Sequence, residues 1–166
     1  INDYVNCKND TSLQLKNFTV TMRIKPYPFS EKRRRGIIQK TDYKYDFAIN
    51  IHNDGAVDFY WGNGTSWING WKFLPSGSLK FNEWQMLTIE RDGLTARGYI
   101  NGKLINEKNF TISPSLGKGS FIIGKSYAGY FKGMIDDICI YNRALNATEI
   151  MQNYNGNITT NGLVSW

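Results

Sequence analysis

The chain has 166 residues, 41% of them hydrophobic and 14% aromatic, which suits one domain around a single core. No stretch reaches the roughly 18–20 apolar residues that a membrane span needs, so the segment is expected not to insert into a membrane. The net charge is +6, but Lys32, Arg33, Arg34 and Arg35 supply four of those charges in one run, which argues against a nucleic-acid-binding protein, where basic residues spread over a whole face or helix.

Cys7 stands near one end of the chain and Cys139, the only other cysteine, near the other. Two cysteines are too few for a zinc site and lack the C-x-x-C redox spacing. In an oxidising compartment a bridge between them would close a loop of about 130 residues and contribute about 4–5 kcal/mol; in a reducing one both are small buried hydrophobes.

Phe18, Val20, Met22 and Ile24 alternate with polar residues, so this run reads as a strand with one dry and one wet face. The basic run at 32–35 follows, either a solvated hairpin tip softened by Glu31 or an anion-binding loop for sulfated or carboxylated glycans. Tyr45, Phe47, Ile49 and Ile51 alternate in the same way. The Asn53-Asp54-Gly55 turn then leads into Val57, Phe59 and Trp61, which predicts a hairpin.

Tyr60, Trp61, Trp67, Trp71 and Phe73 crowd into a stretch reading W-G-N-G-T-S-W-I-N-G-W-K-F, too rich in Gly and Asn to be all core strand. Trp61 and Trp84 suit a core. Trp67 and Trp71 suit an exposed loop where aromatic rings stack on apolar sugar faces and Asn63 and Asn69 meet hydroxyls, with Tyr60 beside them. A hairpin over 97–105 around Asn101-Gly102 and strands over 119–124 and 131–141 complete about ten strands. Tyr127 and Tyr130, in S-Y-A-G-Y-F, are candidates for the same binding edge. Asn146 with Glu149 three residues on is a capping-box pattern, and Ile150, Met151 and Tyr154 mark the apolar face of one short helix.

N-x-T triplets occur at Asn9, Asn17, Asn63, Asn109, Asn146 and Asn157, where composition alone would give about one. Glycosylation at several of them, on a secreted or cell-surface protein, is the expectation, against the alternative that an Asn- and Thr-rich β protein produces turns of this shape. A glycan on Asn63 would sit inside the proposed loop.

Catalytic patterns are sparse. There is no E-x-D-x-E spacing, and Asp136 and Asp137 are adjacent in a strand and so face opposite ways, which prevents them from flanking one glycosidic bond. Asp54 and Asp58 pair only weakly across a turn, and His52 is the single histidine. No catalytic residue is assigned.

The run G-M-I-D-D-I-C-I-Y-N-R-A-L-N-A-T-E-I from Gly133 closely resembles the last strand and helix of laminin G-like, pentraxin-like modules of the concanavalin A superfamily. N-D-Y-V-N-C-K-N-D-T-S-L-Q-L, F-T-V-T-M-R-I-K-P, W-Q-M-L-T-I-E-R-D-G and Y-I-N-G-K resemble the same family in the same order. The resemblance implies an all-β, two-sheet antiparallel jelly-roll sandwich over residues 1–160, with one short C-terminal helix. It also implies that the first and last strands are neighbours, which would bring Cys7 and Cys139 within bridging reach.

N-G-L-V-S-W at 161–166 resembles the family's first strand, displaced to the end. It reads as the start of a further copy, or as a strand that refills the first slot in its own or a neighbouring subunit. The pentraxin calcium cluster is missing after I-I-G; Asp3, Asp136 and Asp137 are the remaining candidates for a structural calcium, and no cofactor is required. The expected function is a non-catalytic adhesion module binding a glycan or glycoprotein outside the cell. The alternative is a structural subunit of a glycosylated surface layer or pilus-like filament, partnered by copies of itself, and a glycoside hydrolase ranks third.

Overall fold

A computed structural model describes residues 3–42, 44–68 and 70–165. The strands are β1 (Val5–Asn6), β2 (Phe18–Pro26), β3 (Arg35–Lys40), β4 (Phe47–Ile51), β5 (Val57–Gly62), β6 (Trp67–Ile68), β7 (Gln85–Asp92), β8 (Thr95–Ile100), β9 (Lys103–Asn109), β10 (Phe121–Ile123), β11 (Lys125–Ser126), β12 (Gly129–Tyr130), β13 (Gly133–Tyr141) and β14 (Leu163–Ser165). One helix, α1 (Ala147–Tyr154), precedes β14.

Two antiparallel six-stranded sheets form the expected sandwich, in the orders β1-β10-β3-β4-β5-β6 and β14-β13-β2-β7-β8-β9. Alternation along each strand decides which side chains meet between them. Phe18, Val20, Met22 and Ile24 of β2 face Phe47, Ile49 and Ile51 of β4 and Val57, Phe59 and Trp61 of β5 within one core. Phe18 stacks on Phe47 at 4.4 Å and meets Phe59 edge-on at 6.1 Å, so aromatic contacts join the two layers. Trp61 is buried as expected, whereas Trp84 is 43% exposed because it stands in the turn before β7.

Turn chemistry fixes the hairpins. Asn101 and Gly102, with φ of 51° and 76°, make the two-residue connection between β8 and β9. The helix begins as its sequence specifies: Asn146 Oδ1 accepts from the Glu149 amide, and a Glu149 carboxylate oxygen accepts from the Asn146 amide, each at 2.9 Å. It covers the outer face of the second sheet, where Met86, Tyr99, Cys139, Tyr141, Leu145 and Ile150 form a second, smaller core.

One expectation about the chain ends is revised. β1 pairs with β10 in the first sheet and does not neighbour β13, so the first and last strands lie in different layers. Cys7 is accordingly exposed in one sheet and Cys139 buried under the helix side of the other, and both are free thiols: the expected disulfide is absent. The 161–166 segment places β14 against β13 of its own chain, pairing Ile140 with Ser165 and Tyr141 with Leu163, and Val164 packs against the core. Trp166 lies outside the described residues.

Candidate functional site

The same alternation that sends Val57, Phe59 and Trp61 inward turns Asp58 and Tyr60 to the outer face of the first sheet. On β4 it turns out Ala48 and Asn50, with Asn50 opposite Asp58 and Ala48 opposite Tyr60. This outer face is not bare. The β11-β12 hairpin folds over β3 and β4, where Ser126 Oγ donates to Asn50 Oδ1 at 2.5 Å and the Tyr127 amide donates to Gln39 Oε1 at 2.6 Å. A Cβ on Gly36 would lie 2.1 Å from the Ser126 amide nitrogen, so only glycine lets the hairpin settle this closely.

Beneath this cover lies a polar network centred on Asp58, which has no exposed surface. Its Oδ2 takes a hydrogen bond from Arg34 Nη1 at 3.0 Å, and its Oδ1 lies 2.7 Å from both the Lys72 amide and His52 Nε2. A buried carboxylate needs such company to offset its lost hydration. Arg34 Nη1 also donates to Tyr60 Oη at 2.9 Å. Burial acts most strongly against the charged guanidinium, but the Asp58 hydrogen bond together with the charges of Tyr127, Tyr60 and Asp58 outweighs it and raises the Arg34 pKa. Burial, aided by the Asp58 charge, pushes the Tyr60 hydroxyl up to about 12, and burial raises Tyr127 as well.

Three rings surround that guanidinium: its carbon is 5.2 Å from the Trp71 ring centre, 5.3 Å from Tyr60 and 5.6 Å from Tyr127. Trp71 also meets His52 edge-on at 4.6 Å, and Trp67 lies 5.9 Å from Tyr127. Trp71 and Tyr127 nevertheless remain 54% and 50% exposed. The turn after Trp71 is clasped twice, by Asp58 at the Lys72 amide and by Asp54, whose carboxylate accepts from Lys72 Nζ at 2.5 Å and from Ser76 Oγ at 2.8 Å. The Lys72 hydrogen bond holds the Asp54 carboxyl well below the usual carboxylate range. The product is an aromatic platform with the Arg34 guanidinium at its centre.

The structure thus gathers four of the sequence candidates, Trp67, Trp71, Tyr60 and Tyr127. Asn63 closes the turn between β5 and β6, its side-chain oxygen accepting from the Thr65 and Ser66 amides at 3.0 and 2.7 Å, and Asn69 lies outside the described residues. Tyr130 sits at the base of the covering hairpin, beside Lys125 and Tyr4. The basic run divides by charge pairing: Lys32 and Arg33 are exposed, Arg34 turns in to Asp58, and Arg35 bonds Glu31 at 2.7 Å and lies over the Phe29 ring. Sequence reading missed Asp58, His52 and Asn50 as site residues, although the outward positions of Asp58 and Tyr60, alternating with core residues, were a usable signal.

Of the calcium candidates, Asp136 and Asp137 line one pocket, because a bulge in β13 interrupts the alternation that would have turned them to opposite faces, whereas Asp3 lines a different groove. Asp137 pairs with Arg23 at 3.2 Å, Asp136 Oδ1 accepts from the Asp137 amide at 2.9 Å, and Asp3 is exposed near Gly124. Among the described residues no three His, Cys, Asp or Glu side chains are grouped to hold a metal. All six sequon asparagines have solvent exposure.

Comparison of solved structures places this architecture among known folds. The binding domain of Paraclostridial Mosquitocidal Protein 1 is similar over 92% of this chain and 41% of its own, with 18% identity and a TM-score of 0.72. The botulinum neurotoxin serotype D binding domain matches over 92% and 40%, with 18% identity and a TM-score of 0.69. The chain therefore spans about two fifths of the length of these toxin domains. Domain 4 of AbnA, an extracellular GH43 arabinanase from Geobacillus stearothermophilus solved with arabinotriose, matches over 90% of this chain and 71% of its own, at 21% identity and a TM-score of 0.67. No curated protein sequence matches. The sequence itself matches a family over residues 1–151, and on that match, with the two-sheet sandwich it predicts, the chain belongs to the concanavalin A-like lectin/glucanases superfamily.

Proposed function

We propose that this chain is a non-catalytic carbohydrate-binding module of a secreted or cell-surface protein, serving adhesion to a glycan or glycoprotein. The observation that carries the reading is the pair of half-exposed rings, Trp71 and Tyr127, held about the Arg34 guanidinium by a carboxylate buried beneath them. Flat aromatic faces suit the apolar faces of sugar rings, and guanidinium and tyrosine groups suit their hydroxyls. The complex of AbnA domain 4 with arabinotriose supports a sugar ligand for a fold of this kind.

Hydrolysis is disfavoured by the carboxylates themselves. Asp58 has no exposed surface with which to reach a substrate, and Asp54 is engaged by Lys72 and Ser76 at the turn. A glycan array read with the intact protein and with Trp71→Ala tests the proposal. Binding should fall at least about tenfold in the variant, as expected for loss of a stacking ring. Undiminished binding by Trp71→Ala would remove this site.

A further inference from the structure

The covering hairpin carries a second aromatic cluster. Ser126 points down into the sheet, where its hydroxyl meets Asn50, so alternation turns Lys125 and its cross-strand partner Tyr130 to the opposite face. There Lys125 Nζ lies 4.6 Å from the Tyr4 ring centre and 4.9 Å from that of Tyr130, and the two rings are 6.2 Å apart. Tyr4 is 46% exposed and, with Val5, Ile123, Phe131 and Ile135, lines a groove of about 320 Å³.

This cluster adjoins the platform. Tyr127, at the hairpin tip, touches the Arg34 group, and Tyr130 is three residues further on, so chain geometry limits their Cα separation to about 11 Å. The clusters share one chemistry, a cation among aromatic rings, but differ in charge. Arg34 is answered by Asp58, whereas Lys125 has no ion pair among the described residues and rests on ring faces alone.

We propose that Tyr4, Lys125 and Tyr130 form a second subsite, so that the module takes a stretch of a linear glycan bearing an anionic substituent at the Lys125 end. The inference rests on the carbohydrate-binding reading of the platform. A single terminal sugar would fill the platform and leave the second cluster unused. A chain laid along the hairpin reaches both, and a carboxylate or sulfate on it meets the Lys125 ammonium, which has no ion pair among the described residues.

The test uses an array of neutral, uronate-containing and sulfated linear oligosaccharides of increasing length, followed by calorimetric titration of the retained series. Affinity should rise with length, and Tyr130→Ala should weaken long ligands about tenfold while leaving the shortest ones unchanged. Lys125→Gln should weaken only acidic series, with a loss that shrinks as salt is added, and the uronate and sulfate arms identify which anion is read. Thermal melts of both variants check that the fold is retained. Trp71-dependent binding with no length dependence, and no loss in Tyr130→Ala or Lys125→Gln, overturns the second subsite and spares the platform. Failure of every glycan to bind in a Trp71-dependent way overturns both.

Discussion

Arg34 Nη1 stands 3.0 Å from Asp58 Oδ2 across 24 residues of sequence, and the Asp58 side chain is fully buried while that of Arg34 keeps a quarter of its surface. One member of the pair belongs to the interior and the other to the surface, so each depends on its partner for a different reason. Asp58→Ala should cost stability, about 3 kcal/mol as typical for breaking a buried pair, and should also loosen the platform. Urea unfolding reads the first effect and glycan titration the second. Arg34→Lys should leave stability nearer to that of the parent but weaken binding, because an ammonium cannot reproduce the planar fork that spans Asp58, Tyr60 and the rings.

A second buried pair makes a contrasting prediction. Lys40 and Asp46 are both buried, 3.5 Å apart, and the Asp46 carboxylate also accepts from the Gly117 amide. Lys40→Met would leave the Asp46 charge without its buried cation, a loss of about 3 kcal/mol near neutral pH by urea unfolding. Burial already pushes the Asp46 carboxyl up despite Lys40. A carboxyl whose folded pKa exceeds its unfolded value loses stability as pH rises between the two, so the deficit of the variant should narrow as pH is lowered toward protonation of Asp46.

Glu149 gives the opposite sign. Its carboxyl is held below its ordinary value first by the hydrogen bonds of Arg143, which outweigh burial, with the Asn146 amide adding to them. Its contribution is therefore complete above the unfolded value of 4.5 and is lost as pH falls through the lower folded value. Glu149→Gln should melt lower than the parent at pH 7, by about 1 kcal/mol, and the two melting curves should converge in strong acid.

Ending the chain at Thr160 removes β14, which hydrogen-bonds to β13 and contributes Val164 to the core. Stability should fall by about 2 kcal/mol for the apolar surface uncovered. The bared edge of β13 should also promote association, seen as a concentration-dependent rise in sedimentation coefficient.

The features legible in the sequence are those set by short-range periodicity. Alternation in Phe18–Ile24 and Val57–Trp61, the Asn101-Gly102 turn and the Asn146–Glu149 box each involve residues a few positions apart, and the structure realises each. The misplaced features depend on which strands become neighbours. The expected Cys7–Cys139 bridge fails because β1 pairs with β10 in the first sheet and not with β13 in the second. Arg34 read as one charge in a basic run because only the pairing of β3 with β4 and β4 with β5 brings Asp58 within its reach. Trp67, Trp71, Tyr60 and Tyr127 stood out by residue type, whereas Asp58 carried only its outward position on β5, which does not reveal that it meets Arg34.

Strand β5 divides its labour by parity: Val57, Phe59 and Trp61 pack between the sheets, and Asp58 and Tyr60 hold Arg34 on the outer face. The even positions therefore tie the outer face to the core's own strand, so the two layers of this strand cannot change independently. An inserted or deleted residue within this strand would exchange the two sets and abolish both at once.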